Sequence, residues 1–234
     1  MSESPLQRRL ATTTLLISAG TVLGIGALVF GTAVIIGLNV PGVPAHLDLL
    51  IIAAMLVQSV GTLIALAFVL RRRGHRLSAI GFSRPTGRLF HLLWQIPAAV
   101  IVVLGTQLIV FAVTGSEPVS DSSTDSIAGS VGPVAAISMF AAVAIITPLW
   151  EELFFRGVIY GYVRDRLGLK GAIPISAVVF ALCHGVPILL PYMLALGLCL
   201  ALLRTFHGNL WGPLGLHVAI NSTASLVLLQ VAFT

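Results

Sequence analysis

Long apolar segments separated by short polar stretches are the feature that most limits what this chain can fold into. A helix that crosses a bilayer needs about 20 mainly apolar residues. Seven segments meet or approach that length: 11–39, 47–70, 89–113, 131–163, 172–186, 187–203 and 213–233. Only 9% of the 234 residues are charged, far below the roughly 25% of soluble domains. The sequence therefore predicts an all-α polytopic membrane helical bundle of about seven transmembrane helices, forming a single integral-membrane domain over 1–234.

Two of the predicted segments have alternative interpretations. The segments 172–186 and 187–203 are short and separated only by Gly185-Val186-Pro187, so they are either two spans or one broken helix. The first apolar run is about 28 residues long, against roughly 7–15 for the apolar part of a signal peptide, which predicts an uncleaved first membrane helix. The Ser/Asp-rich stretch 114–130 is predicted to be a mobile polar loop.

The positive charges lie on one side of this predicted bundle. Arg156 lies within a span, and every other Lys and Arg precedes the first span or lies between the second and third, fourth and fifth, or sixth and seventh spans. These residues are Arg8, Arg9, Arg71, Arg72, Arg73, Arg76, Arg84, Arg88, Arg164, Arg166, Lys170 and Arg204. The positive-inside rule then places the N-terminus in the cytoplasm and the C-terminus outside. This one-sided distribution of positive charge favours two spans within 172–203, because merging them into one span would place Arg204 on the outer side of the membrane.

The basic stretch 71–88 is best interpreted as a topology-setting loop beside anionic lipid headgroups, with recruitment of substrate as the alternative. The net charge of +5 could suggest nucleic acid as a partner. The charges lie in short loops between apolar segments, so we expect no nucleic acid partner and take the lipid bilayer as the surrounding partner.

The run IITPLWEELFFRGVIYGYV places two carboxylates and a guanidinium in an apolar environment: Glu151, Glu152 and Arg156. A charge at bilayer depth costs a few kcal/mol or more unless it faces protein or a wet cavity. Glu152 and Arg156 are four residues apart and are predicted to pair on one helix face. Glu151 points about 100° away on a regular helix and is expected to face a cavity.

Two further polar pairs lie at similar depth, Phe180 with His184 and His217 with Asn221, each one helical turn apart. Counted from the nearest cytoplasmic charge, Glu151, His184 and His217 each lie about 20 Å into the bundle. The sequence therefore predicts that these side chains converge below the cytoplasmic surface, and ionisable groups at such depth are candidates for function.

The converged residue types suit hydrolysis of an amide by water. A glutamate and a histidine that share a water, here Glu151 and His184, make a general base. His217 and Asn221 can donate hydrogen bonds to a developing oxyanion. Zinc is the competing account, with Glu151, His184 and His217 as ligands and water in the fourth position. The residues alone leave both accounts open. The chain has no H-E-x-x-H helix, no G-x-S-x-G elbow and no intramembrane Gly-Asp pair.

The ordered motifs E-E-x-x-x-R, F-x-x-x-H and H-x-x-x-N resemble those of the CPBP intramembrane proteases, the CAAX protease and bacteriocin-processing (Abi) family. The likeness covers about 131–226 and defines a predicted protease core, with 1–130 as variable N-terminal helices. It implies a cavity open to the cytosol and to lipid, with Glu151 and His184 activating water. By the same likeness His217 and Asn221 form the oxyanion site, and Glu152 and Arg156 support the first carboxylate.

This resemblance gives the expected function. We expect an intramembrane endopeptidase, glutamate-dependent or metallo, whose substrate is a CAAX-like peptide or a bacteriocin or other membrane peptide. No cofactor is expected to be required, and zinc is possible. The expected location is a bacterial plasma membrane, and the oligomeric state is open. The alternatives are a non-catalytic immunity or scaffold protein of the same fold, and a small proton-coupled transporter that uses Glu151 and His184 as a relay.

Overall fold

The computed structural model describes residues 10–115 and 133–232, and within these ranges the chain is helical without a β-strand. The first part contains α1 (Thr12–Asn39), α2 (Leu47–Arg72), α3 (Leu77–Ile80) and α4 (Leu92–Thr114). The second part contains α5 (Pro133–Phe140), α6 (Thr147–Glu151), α7 (Tyr160–Cys183), α8 (Leu190–His207) and α9 (Trp211–Ala232). Short 3-10 turns are Val43–His46, Gly87–His91 and Pro187–Leu189. Most of the predicted loop at 114–130 lies outside the described residues.

Five helical stretches in the described ranges are long and apolar enough to cross a membrane. They are Thr12–Asn39, Leu47–Arg72, Gly87–Thr114, Pro133–Cys183 and Pro187–His207. The fourth stretch has 51 residues, about 75 Å of helix, which is more than twice the hydrocarbon thickness. It is broken at Gly168, where φ is 68° and ψ is −169°, so it supplies the two segments predicted as 131–163 and 172–186. The prediction of an all-α multi-pass membrane protein is confirmed.

The exposure pattern of α1 is that of a helix in lipid. Its buried side chains are Thr14 and Ser18, whereas Leu23 and Leu28 are 68% and 70% exposed. A soluble helix would bury the leucines and expose the hydroxyls. Small polar residues that face the protein while leucines face outward are typical of helix packing within a bilayer.

The chain between α7 and α8 is a turn, so 172–203 forms two helices. α7 ends at Cys183 and Gly185 takes the left-handed conformation with φ 67°. The two helices then pack closely, because a Cβ on Gly197 would lie only 3.0 Å from the backbone of Ala177. The two-helix alternative is therefore the one that the structure contains.

Arg204 is not in a loop, as the sequence analysis assumed, but lies within α8 and is 5% exposed. Its Nε donates to the backbone oxygen of Arg156 at 3.3 Å and its Nη2 to that of Ile80 at 3.4 Å. Arg164 and Arg166, also assigned to a loop, belong to the first turns of α7. The long side chain of an arginine near the end of a span can reach either water or protein carbonyls, and its position in the sequence does not distinguish the two.

Two π-helical segments, Ala141–Ile146 and Glu152–Ile159, flank the short helix α6. The pair Glu151–Glu152 lies at the junction of α6 with the second segment. The prediction for these carboxylates rests on the geometry of a regular α-helix, and the wider turns of the π segments change that geometry. Such π segments are rare and are frequent at functional sites.

Candidate active site

The Glu152 carboxylate is the centre of a fully buried polar cluster. Its Oε1 accepts a hydrogen bond from Arg156 Nη1 at 3.0 Å and one from His217 Nδ1 at 2.8 Å. Glu152 and Arg156 are 0% exposed and His217 is 2% exposed. An ionised carboxylate only accepts, so Nδ1 of His217 carries the proton in this bond. The predicted pairing of Glu152 with Arg156 is confirmed, and the bond to His217 is an addition that the sequence did not indicate.

Arg156 is held by contacts on several sides besides Glu152. Its Nη2 donates to the backbone oxygen of Gly197 at 3.3 Å, a carbonyl that the close packing of α7 on α8 brings near. The guanidinium carbon lies 4.3 Å from the ring centroid of Phe180, a favourable cation–π geometry. The cation is therefore fixed between a carboxylate, a carbonyl and an aromatic face.

Glu151 contacts the same imidazole as Glu152, from the other ring nitrogen. Its Oε2 lies 3.5 Å from His217 Nε2, and its carboxylate also interacts electrostatically with His184. The expectation that the two glutamates act on separate faces holds only in part, because His217 lies between both. The contact of Glu151 is longer than those of Glu152, and Glu151 retains 7% exposure.

His184 is oriented by its own helix. Its Nδ1 bonds to the backbone oxygen of Phe180 at 2.8 Å at the end of α7. A carbonyl only accepts, so Nδ1 is the donor, and a neutral imidazole then has its lone pair on Nε2. The ring is partly exposed and lies 4.6 Å from the ring of Phe180. His184 thus presents a proton-accepting nitrogen away from its own backbone.

Phe180 joins these groups. Its fully buried ring contacts His184, Arg156 and, at 5.8 Å between centroids, His217. The phenylalanine of F-x-x-x-H therefore packs against one member of each of the three motifs. The structure brings together Glu151, Glu152, Arg156, Phe180, His184 and His217. The depth estimate from the sequence concerned Glu151, His184 and His217 alone, and the catalytic roles of all six stay predictions.

Asn221 lies one turn beyond His217 on α9 and bonds to the first π segment. Its Nδ2 donates to the backbone oxygen of Val143 at 3.0 Å. In a π-helix that oxygen would accept from the N–H five residues on, which is position 148, a proline without an N–H. The preceding donor, Thr147 N–H, bonds to Ala142. Asn221 thus satisfies a carbonyl that Pro148 leaves without a backbone donor, and its second amide hydrogen remains for the predicted oxyanion site.

Replacing Asn221 with alanine should lower the free energy of unfolding by about 1–3 kcal/mol, because a part-buried carbonyl loses its donor. Adding Pro148→Ala should recover part of that loss by restoring a backbone N–H at the position where Val143 needs one. Thermal unfolding of the purified single and double variants in detergent measures both effects. Equal losses with and without Pro148→Ala would mean that Asn221 does not satisfy this carbonyl.

The described residues include no group of three or more His, Cys, Asp or Glu side chains arranged to hold a metal ion. Glu151, His184 and His217 have suitable donor atoms. Nε2 of His217 lies 3.5 Å from Glu151 Oε2, close to the roughly 3.4 Å that separates two ligands of a tetrahedral zinc ion. The zinc alternative of the sequence analysis therefore stays a prediction.

The described part of the chain is thus a helical membrane protein that holds two glutamates, an arginine and two histidines in one polar cluster. Residues 133–223 match the model of the family described as Rce1-like, type II CAAX prenyl endopeptidase. The match contains all three motifs and confirms the family predicted from them. No curated protein and no solved structure matches the chain.

Two residues that contribute to this site were not predicted from the sequence. Arg204 was assigned to topology, yet it donates to the backbone oxygen of Arg156 within the second π segment. Gly197 supplies the carbonyl that Arg156 binds. The only sequence signal for the glycine is a small residue in an apolar helix, a pattern that usually marks close helix packing.

Proposed function

We propose that this protein is an intramembrane endopeptidase in which Glu151 and His184 activate a water molecule for attack on a peptide bond. The observation that carries the proposal is the fixed orientation of the two imidazoles. His184 is held through Nδ1 by a carbonyl and so offers a lone pair on Nε2, beside a carboxylate whose neighbour Glu152 is already engaged by Arg156 and His217.

Proton transfer follows from these assignments. Glu151, with Nε2 of His184, takes a proton from water as the water oxygen bonds to the carbonyl carbon. The proton then passes to the amide nitrogen, which leaves as an amine when the C–N bond breaks. Glu152 is unsuited to this task because it is fully buried, with no surface open to a substrate water, and its Oε1 already accepts two hydrogen bonds.

His217 is suited to the opposite task, donation to the oxyanion. Its Nδ1 hydrogen is committed to Glu152, so Nε2 donates only in the imidazolium form. Glu151, Glu152 and Arg156 together carry one excess negative charge when ionised, and a protonated His217 balances it. A positive donor close to developing negative charge in a buried site stabilises the transition state, and we propose the second amide hydrogen of Asn221 as the other donor.

The substrate class that we propose is a membrane-associated peptide with a CAAX-like end, or a bacteriocin or other membrane peptide, cleaved at a bacterial plasma membrane. The match of residues 133–223 to the Rce1-like family model supports the CAAX-like class. The depth of the site, within helices long enough to span a membrane, supports a substrate that reaches it from the lipid or from the membrane surface.

The test is cleavage of quenched fluorescent peptides by the purified protein in lipid nanodiscs. One peptide set ends in a CAAX-like sequence and is offered farnesylated and unmodified, and a second set consists of apolar membrane peptides. We expect cleavage of at least one set, and loss of at least 10²-fold in rate for His184→Ala. Full activity of His184→Ala, or no cleavage of any set, would contradict the proposal and favour a non-catalytic membrane protein.

The same assay tests the metal-free mechanism. Activity should persist after treatment with a strong chelator and dialysis, since no step here is assigned to a metal. Elemental analysis of the treated sample should show less than about one zinc atom per ten protein molecules, which verifies that zinc has been removed. Loss of cleavage on chelation, with recovery on adding zinc, would contradict the metal-free mechanism while leaving the peptidase function in place.

A further inference from the structure

A turn at the end of α2 forms a basic cavity outside the candidate active site. The cavity has a volume of about 430 Å³ and is lined by Arg71, Gly74, His75, Arg76 and Leu77. Gly74, with φ 79°, reverses the chain there. This reversal places the exposed side chains of Arg71 and Arg76 at the same cavity, beside the buried His75.

Within the described ranges this basic region has no carboxylate to balance it. Arg71, Arg73, Arg76 and Arg84 form neither an ion pair nor a side-chain hydrogen bond within 10–115 and 133–232. The acidic residues of those ranges lie elsewhere, Asp48 at the other end of α2, Asp165 beside Arg164 and Glu151 and Glu152 in the buried cluster. The counter-charge must come from outside this part of the protein.

The position of this cavity favours an anion of the membrane as its ligand. α2 is long and apolar enough to span a bilayer and ends at Arg72, so the turn that follows lies at the level of the lipid headgroups. Anionic headgroups attract arginines there, and guanidinium groups bind phosphate with paired hydrogen bonds. We propose that this cavity is a binding site for the phosphate of an anionic lipid headgroup.

The cavity is connected to the buried cluster by short contacts. Leu77 lines the cavity and begins α3, and α3 ends at Ile80, whose carbonyl accepts from Arg204. Arg204 also donates to the carbonyl of Arg156. A Cβ on Gly157 would come within 2.7 Å of Ile80 Cγ2, so α3 packs directly on the π segment. A bound headgroup would hold α3 against the helix that carries Glu152 and Arg156.

The experiment measures lipid binding by the purified full chain in a neutral detergent and needs no cleavage. Phosphatidylglycerol, phosphatidylcholine and inorganic phosphate are added separately and Tm is recorded. We expect phosphatidylglycerol to raise Tm by about 4 °C or more, because binding to the folded state stabilises it. Phosphatidylcholine and inorganic phosphate should raise it by less than half as much.

A pair of double variants separates the cavity from general charge. Arg71→Gln with Arg76→Gln should lose at least half of the phosphatidylglycerol shift. The control double variant, Arg73→Gln with Arg84→Gln, removes two arginines of the same basic stretch that do not line the cavity. It should keep the full phosphatidylglycerol shift. Equal shifts in the two doubles would overturn the site, and an equal shift with inorganic phosphate would overturn the lipid as its ligand.

Two further measurements complete the test. If the cavity double variant does not fold, the single variants Arg71→Gln and Arg76→Gln replace it, and each should lower the shift below that of Arg73→Gln. Hydrogen exchange tests the connection to the cluster. Phosphatidylglycerol should slow amide exchange in residues 77–82 at least threefold, and unchanged exchange there would overturn the coupling to α3.

Discussion

Replacing Glu151 with glutamine should lower the rate constant for peptide cleavage by about 10²–10⁴-fold, the range expected for loss of a general base. The amide keeps the size of the carboxyl group and removes its capacity to take a proton from water. Among the residues that the structure describes, the short polar contact of Glu151 is with His217, at 3.5 Å. The substitution should therefore change Tm little, and the KM for substrate should stay within a few-fold of the wild-type value.

A matched control for this variant is Asp165→Asn. Asp165 is a carboxylate of the same protein that lies outside the buried cluster, paired at 3.7 Å with the exposed Arg164. Its replacement should leave both rate and Tm near the wild-type values. A Glu151→Gln protein that cleaves at the wild-type rate would show that Glu151 is not the base.

The sequence was sufficient for the all-α membrane fold and for the depth of the polar residues, although the predicted span 213–233 is not among the described helices that qualify as spans. Span length depends on bilayer thickness, and depth depends on the helical rise. Both are nearly constant physical quantities. The convergence of Glu151, His184 and His217 therefore followed from counting residues inward from the loop charges, even though one of those reference charges, Arg204, proved to be buried in α8.

The details of the cluster required tertiary structure. Nothing in the run around Glu152 indicates that His217, 65 residues away, bonds to the same oxygen as Arg156. The π segments were also not predictable, since pattern reading assumes regular helical turns. Pro148 was the one local indication, because its missing N–H leaves a carbonyl that a side chain from another helix must satisfy.

Replacing Glu152 with glutamine should destabilise the protein as well as inactivate it. Arg156 is fully buried and its ion pair with Glu152 is 3.0 Å long. Removing one partner of a buried pair leaves an uncompensated charge and typically costs about 3–5 kcal/mol. Thermal unfolding in detergent compares the Tm of Glu152→Gln with that of Glu151→Gln, and we expect the Tm of Glu152→Gln to be lower. Equal Tm values for the two variants would contradict the division between a supporting and a working carboxylate.

The double variant Glu152→Gln with Arg156→Met separates the structural role from the catalytic one. Removing both charges of a buried pair is often far less costly than removing one, because no unpaired charge remains. The double variant should therefore regain much of the Tm that Glu152→Gln loses, and the two substitutions should be non-additive. Cleavage should stay at least 10²-fold below wild type, since Nδ1 of His217 no longer bonds to a carboxylate and the imidazolium loses its nearest counter-charge. Recovery of cleavage together with stability would show that Glu152 serves the fold alone.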